Sequence, residues 1–127
     1  MDLILDTNAL AAVADGDGDV ATLLSAADRV AIPVIVLGEY WFGILQSRRQ
    51  GEYERWLADT LSVTPVFEIT ETTTRHYAAI RLDLKRSGKP IPSNDLWIAA
   101  LCREHRFDLL SRDAHFDWVK GLNRVEW

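Results

Sequence analysis

The first eight residues constrain the fold of this chain more than any other stretch. Residues 3–5 are an apolar Leu-Ile-Leu run that polar residues follow, which is the pattern of a buried strand. Asp6 comes directly after this strand, and the apolar segment 9–14 is predicted to be a helix. Ligands gather at the carboxyl ends of strands in open parallel α/β sheets, so Asp6 stands where such folds do chemistry. An equally simple interpretation is that Asp6 or Asn8 caps the helix.

Composition predicts one domain spanning residues 1–127, since 48% of the residues are hydrophobic and only 4 are proline and 7 glycine. The single cysteine, Cys102, allows no internal disulfide and is typical of a reducing, cytoplasmic location. No basic segment followed by an apolar one opens the chain, so no signal peptide is expected. The longest nearly uncharged stretch, residues 30–45, contains Pro33 and Glu39 and is too short to span a bilayer.

The charge is unevenly distributed along the chain. The net charge of −5 argues against a simple nucleic-acid binder, which usually has a basic surface. Residues 1–28 hold six acids and no base, whereas residues 72–112 hold eight bases against four acids. One region is therefore suited to a phosphate backbone, although most of these bases are also explained as solvated helix faces.

Hydrophobic patterning predicts an alternation of strands and helices. Strands are predicted at residues 3–5, 30–32, 66–69 and 107–110, with a last edge strand near Val125. Helices are predicted at residues 9–14, 20–27, 34–49, 52–61, 70–87 and 93–102. This alternation is typical of an α/β fold with a central, mostly parallel sheet of four or five strands flanked by helices.

Glu39 is the only charged residue between Val30 and Leu45. An ionised carboxylate in such a run must be paired, bound to a metal, or exposed on one helix face. Its helical neighbours Ile35, Phe42 and Gly43 are not polar, which weakens the exposed-face interpretation. The same helix is apolar almost all round, so we expect a second apolar contact, such as a dimer or partner surface.

Two further acids stand in unusual places. Asp95 opens a helix in which no other charge occurs before Cys102, and Ser93 and Asn94 already offer capping oxygens there. Asp113 comes just after the predicted strand 107–110, as Asp6 comes after the first strand. The three histidines lack zinc-type spacing and are predicted to be surface or boundary residues: His76, His105 and His115.

Four acids are predicted to converge at one edge of the sheet, because strand ends and helix starts meet there: Asp6, Glu39, Asp95 and Asp113. Four converging carboxylates would repel one another strongly, and a bound cation removes that repulsion. Oxygen ligands without histidine or cysteine point to Mg²⁺ or Mn²⁺ rather than zinc. Such an ion makes a bound water nucleophilic and stabilises the charge of a phosphoryl displacement.

These motifs resemble those of the PIN-domain ribonucleases, and among them the VapC-like toxins of bacterial toxin–antitoxin pairs. The resemblance extends over essentially the whole chain. It is carried by Leu3-Ile4-Leu5-Asp6-Thr7-Asn8, by Glu39, by Asn94-Asp95-Leu96-Trp97-Ile98-Ala99-Ala100 and by Leu110-Ser111-Arg112-Asp113-Ala114-His115-Phe116. It implies a Rossmann-like three-layer fold, endonucleolytic cleavage of RNA, a homodimer, and inhibition by a cognate antitoxin protein.

The resemblance also implies roles for single residues. Metal ligands, direct or through water, would be Asp6, Glu39, Asp95 and Asp113, with Asp117 as an additional candidate. Supporting positions would be Thr7, Asn94, Ser111 and Arg112. Candidate phosphate contacts are Arg48, Arg49, Lys85, Arg86 and Lys89.

Three rival interpretations remain. A phosphatase of the haloacid-dehalogenase type needs a second Asp two residues after the first, where this chain has Asn8. A response-regulator receiver domain needs a phosphorylatable Asp after a mid-chain strand and a late Lys, and neither is evident. A non-catalytic PIN-like module that binds RNA or protein would not need all four acids.

Overall fold

The computed structural model describes all residues from 1 to 127 as alternating strands and helices. The strands are β1 (Asp2–Leu5), β2 (Arg29–Pro33), β3 (Val66–Phe67), β4 (Asp108–Leu110) and β5 (Arg124–Val125). The helices are α1 (Thr7–Ala14), α2 (Gly18–Ala26), α3 (Val34–Gln46), α4 (Gln50–Leu61), α5 (Glu71–Arg86) and α6 (Ser93–His105). A short 3₁₀ turn, Ala114–Trp118, lies between β4 and β5.

The five strands form one sheet in the order β3-β2-β1-β4-β5, and every neighbouring pair is parallel. This confirms the predicted α/β class with its central parallel sheet. Strand β1 lies in the middle, with Ile4 beside Ala31 of β2 and Leu5 beside Leu110 of β4. The residues that follow β1 and β4 are therefore neighbours, and Asp6 N–H donates to the Leu110 carbonyl at 3.1 Å.

The core lies around β1 and its neighbour β4. Leu3, Ile4, Leu109 and Leu110 are fully buried, as expected for parallel strands covered on both faces. Helix α6 contributes a continuous buried run, Ile98–Cys102, and packs against α5. Burial of each large side chain stabilises the fold by about 1.5–3 kcal/mol. Asp6 thus follows directly after the buried residues Leu3–Leu5 of the central strand.

The prediction that α3 extends to Arg49 is wrong, because α3 ends at Gln46. Ser47 adopts an extended conformation, and its hydroxyl accepts a hydrogen bond from Arg49 N–H at 3.0 Å. This side-chain bond offers the backbone an alternative to the helical hydrogen bond. The chain re-enters a helix at Gln50, the first residue of α4.

Length and hydropathy together rule out a membrane-crossing role for each helix of the fold.

Candidate active site

Asp6 is the buried centre of the candidate site, with only 4% of its surface exposed. Its Oδ1 accepts the Thr7 N–H at 2.8 Å, so Asp6 also caps α1, as the alternative interpretation of this residue held. Its Oδ2 accepts the Ser111 hydroxyl at 2.6 Å and the Asn8 amide at 3.4 Å. Burial raises the pKa of Asp6, while the Ser111 and Thr7 hydrogen bonds oppose that shift.

Asp95 reaches the same edge from the first turn of α6. The expectation that Ser93 or Asn94 caps this helix is wrong, since Pro92 occupies the capping position and no side chain caps the helix. The Asp95 Oδ2 lies 2.7 Å from Nε2 of His115. Burial raises the pKa of Asp95, the positive field of His115 lowers it, and the charge of Asp6 raises it further. Asp6 and Asp95 therefore act on each other across the site.

Asp113 is the exposed member of the group and follows β4 in a turn. Its N–H donates to Ser111 Oγ at 3.0 Å, which fixes the backbone that carries it. Ligand atoms of Asp95, Asp113 and His115 all lie within 4.8 Å of one another. The charge of Asp113 also raises the pKa values of both Asp6 and Asp95, so three carboxylates interact at the end of the sheet.

Glu39 joins the site from the side, through α3. Its Oε2 accepts the Thr7 hydroxyl at 3.1 Å, and its Oε1 accepts the Asn94 amide at 3.4 Å. Glu39 is half-buried and lines a cavity of about 310 Å³ together with Thr7 and Tyr40. Asn94 therefore orients Glu39 rather than capping α6. The Glu39 carboxylate has hydrogen-bond partners, as its apolar surroundings require.

Asp117 and Arg112 make their side-chain contacts with residues outside this group. Arg124 holds the Asp117 carboxylate through Nε and Nη2, both at 2.9 Å, and this pairing lowers the pKa of Asp117. The Arg112 guanidinium lies 4.4 Å from the ring centre of Trp127, and its backbone N–H donates to Asn8 at 3.3 Å. The Arg112 backbone thus stabilises the loop after β4, while its guanidinium contacts Trp127 and lies 3.8 Å from the Asp17 carboxylate.

Sequence reasoning missed His115, which it placed among surface or boundary residues. The ring is half-buried and touches Phe116, with ring centres 4.8 Å apart. Phe116 is fully buried and anchors the 3₁₀ turn that carries His115 towards Asp95. The available signal was its position two residues after Asp113 and directly before an aromatic residue, not any zinc-type spacing.

Three of the five candidate phosphate contacts have neighbours that define their surroundings: Lys85, Lys89 and Arg49. Lys85 lines a cavity of about 360 Å³ with Ser93, the first residue of α6, and with Arg81, which was not among the candidates. Lys89 Nζ lies 5.9 Å from the ring centre of Trp118, at the end of the turn that carries His115. Arg49 is paired with Glu52 on α4, its Nε 2.9 Å from the Glu52 carboxylate. Lys85 therefore lies near the start of α6, the helix that carries Asp95.

The acid group is suited to a divalent cation. No lysine or arginine forms an ion pair with Asp6, Glu39, Asp95 or Asp113. Partly buried carboxylates without such partners repel one another, and a cation among them would relieve that repulsion. Carboxylate oxygens are the donors that Mg²⁺ and Mn²⁺ prefer. The donor set and the lack of a lysine or arginine counter-charge both fit a metal site.

The family of this chain follows from comparison with known proteins. The PIN-domain family profile matches residues 3–122. The chain belongs to the PIN-domain family. Ribonuclease VapC5 of Mycobacterium tuberculosis is 30% identical over 97% of this chain and 91% of its own length.

Solved structures of VapBC proteins share the fold over nearly the whole chain. The structure of VapBC2 from Rickettsia felis, bound to a DNA fragment from their promoter, superposes with a TM-score of 0.90 at 24% identity. That superposition covers 100% of this chain and 99% of the other. VapBC-5 from Mycobacterium tuberculosis, a member of the VapBC family of toxin–antitoxin systems, gives a TM-score of 0.73 at 26% identity, covering 98% and 96% of the two chains. The expected three-layer PIN fold is thereby confirmed.

Proposed function

We propose that this PIN-domain protein is a metal-dependent endoribonuclease and the toxin of a toxin–antitoxin pair. One observation carries the proposal: Asp6, Asp95 and Asp113 come from three separate elements and act on one another without a lysine or arginine partner. The similarity to Ribonuclease VapC5 over nearly the full length supports RNA as the substrate. The whole chain is proposed to work as one domain in the cytoplasm.

The metal is proposed to be Mg²⁺ or Mn²⁺, held by Asp6, Glu39, Asp95 and Asp113 directly or through water. When bound, such an ion supplies a water of lowered pKa and stabilises the charge that develops on a phosphodiester during hydrolysis. The P–O bond to one ribose oxygen breaks as a water oxygen bonds to phosphorus, and the departing oxygen takes up a proton.

The side chains around the acids position them for this reaction. Ser111 and Thr7 each donate to one oxygen of Asp6, which fixes the plane of that carboxylate. Thr7 and Asn94 do the same for Glu39. Carboxylates held in this way lose little freedom when they bind a cation, and such positioning accounts for a large part of rate enhancement.

RNA is proposed to approach along the α5–α6 side of the acids. Arg81 and Lys85 border the cavity that ends at Ser93, where their charges suit phosphates on either side of the cut bond. Trp118 is 43% exposed beside Lys89, which suits the stacking of an unpaired base. This surface offsets the overall negative charge of the chain where a substrate would lie.

A cognate antitoxin and a second copy of the chain are the proposed protein partners. The similarity to VapBC-5, a toxin–antitoxin system, supports the first. Helix α3 supports the second, because Trp41, Phe42 and Leu45 are exposed by 38%, 64% and 64%. Exposed apolar side chains this close together are typical of an interaction surface.

The test is cleavage of total cellular RNA by purified protein with Mg²⁺, with Mn²⁺, and with excess chelator. Asp95→Asn, expressed and purified identically, is the control for contaminating nuclease. We expect discrete products that require metal and that the variant does not produce. Folded, antitoxin-free protein that cuts no RNA with either metal would overturn the proposal and favour a non-catalytic binding module. Equal cleavage by the variant would also contradict the proposal, because the activity would then not depend on Asp95.

A further inference from the structure

His115 is the one basic side chain that contacts the acid group. Its Nε2 lies 2.7 Å from Asp95 Oδ2, and a ring nitrogen of His115 belongs to the cluster within 4.8 Å that includes Asp113. The side chain of Asp95 is 16% exposed and that of His115 is 27% exposed, so both remain open to a ligand at the edge of the sheet. None of the roles discussed so far requires a nitrogen at this place.

The ring of His115 is held in position by its neighbours. It packs against the buried Phe116 at 4.8 Å and lies 6.4 Å from Trp118, measured between ring centres. Backbone bonds fix the turn, since Phe116 N–H donates to the Asp113 carbonyl at 3.3 Å. Asp113 and His115 are thereby presented from a single turn towards Asp95.

The spacing suits joint coordination of one cation. Two ligands at right angles on an ion, with bonds of about 2.1 Å, lie about 3.0 Å apart. The 2.7 Å between Nε2 of His115 and Oδ2 of Asp95 is close to that distance. A residue that only steadied Asp95 by a hydrogen bond would not need to approach Asp113 as well, and His115 approaches both.

We propose that Nε2 of His115 is a direct ligand of the cation in this site, and that this nitrogen makes the site favour a first-row transition-metal dication over Mg²⁺. The proposal rests on the proposed function, because it assumes the metal centre described above. Imidazole nitrogen is a donor that suits transition-metal ions, whereas Mg²⁺ is bound almost entirely by oxygen. One histidine among carboxylates therefore shifts selectivity without abolishing Mg²⁺ binding.

The decisive measurement is electron spin-echo spectroscopy of Mn²⁺ bound to the full chain without a histidine tag. We expect a nitrogen coupling that changes from ¹⁴N to ¹⁵N when only the histidines are isotope-labelled. The wild-type protein alone answers the question, so the result does not depend on the folding of a variant.

Two substitutions separate ligation from simple positioning. His115→Gln keeps an N–H that can donate to Asp95 but removes the imidazole nitrogen, and His115→Ala removes both. We expect both variants to bind Co²⁺ about 10-fold or more weakly in calorimetric titrations, with Mg²⁺ affinity changed much less. His105→Gln is the matched control, because His105 is also half-buried but stacks on Phe67 with ring centres 3.9 Å apart.

Each contrary result has a distinct meaning. Bound Mn²⁺ without histidine coupling, or His115→Gln with wild-type Co²⁺ affinity, would overturn the ligand proposal and leave the metal centre intact. Absence of saturable binding of Mn²⁺, Co²⁺ and Mg²⁺ would overturn the metal centre itself, and the ligand proposal with it.

Discussion

The buried hydroxyl of Ser111 donates to Asp6 Oδ2 across 2.6 Å and so joins the ends of β4 and β1 where the acids meet. The Ser111 Oγ also accepts the Asp113 N–H at 3.0 Å. One hydroxyl therefore holds one acid directly and the backbone of another. The parallel pairing that sets Leu5 beside Leu110 makes this bond available.

Ser111→Ala is expected to lower both stability and activity. Loss of the hydroxyl leaves a buried carboxylate oxygen and an amide N–H without their partner, which costs about 1–3 kcal/mol. The free energy of unfolding from urea titration measures this loss. Ser62→Ala is the control, because Ser62 is exposed and its hydroxyl bonds only to a nearby backbone carbonyl. Equal unfolding midpoints for the two variants would contradict the bridging role of Ser111.

Asp6→Asn and Asp95→Asn are each expected to reduce RNA cleavage by about 100-fold or more, since a metal-bound water loses its ion or its orientation. Asn matches Asp in size, so the fold should be retained, and circular dichroism checks this on the same samples. Asp59→Asn, at an exposed acid of α4, should cleave like the wild type. Undiminished cleavage in both site variants, with the expected products, would remove these acids from catalysis.

The contribution of Asp6 and Asp95 to the stability of the metal-free protein should fall as pH rises. Burial raises the pKa values of Asp6 and Asp95, so the folded state binds more protons than the unfolded chain between the ordinary Asp value of 3.8 and the raised values. At a pH above the raised pKa values both carboxylates are ionised, and their burial in the charged form lowers the free energy of unfolding. Asp95→Asn removes part of this cost, and we expect a higher melting temperature than the wild type at pH 7 in chelator.

Thermal unfolding between pH 4 and pH 8 checks this sign. The advantage of Asp95→Asn over the wild type should grow with pH and shrink at the acid end. Added Mn²⁺ should then stabilise the wild type more than the variant, because a ligand that binds only the folded state raises its stability. A variant less stable than the wild type at every pH would show that the His115 contact outweighs the repulsion.

The sequence was sufficient to predict the sheet and the four acids, because both follow from local patterns. Apolar runs ended by polar residues predicted the central strands, and a single charge in an apolar stretch singled out Glu39 and Asp95. The structure brings Asp6, Asp95 and Asp113 to one edge, with Glu39 attached through Thr7 and Asn94. That each acid serves as a metal ligand stays a prediction.

The parts that the sequence did not predict depend on tertiary contacts. His115 enters the site because the buried Phe116 anchors the 3₁₀ turn that carries both residues. Helix or strand periodicity in the sequence does not predict such a turn. Asn94 offered a capping oxygen by type, yet its amide is drawn to Glu39 of another helix. When a polar side chain has several available hydrogen-bond partners, tertiary packing decides which one it bonds. The local sequence does not specify that packing.

Asp117→Asn should leave metal affinity unchanged, whereas Asp113→Asn should weaken it. Arg124 holds both oxygens of Asp117, and this pair is largely exposed on the acid's side, with 55% of the Asp117 side chain accessible. Arg124 keeps Glu126 and the Ser111 carbonyl as partners when Asp117 loses its charge, so the fold should be retained. Mn²⁺ titration of the two variants, only four residues apart, makes the comparison. Equal weakening would return Asp117 to the set of ligands.

Phe42→Glu is expected to prevent self-association through α3. Phe42 and Leu45 lie one turn apart on α3 and are each 64% exposed, so a charge placed there would have to be desolvated in any apolar interface. Sedimentation velocity over a range of concentrations should give a dimer for the wild type and a monomer for the variant. Val63→Glu is the matched control, because Val63 is 83% exposed and lies outside α3. A monomeric wild type would assign this surface to a different partner, while a Phe42→Glu dimer would place the self-association elsewhere on the molecule.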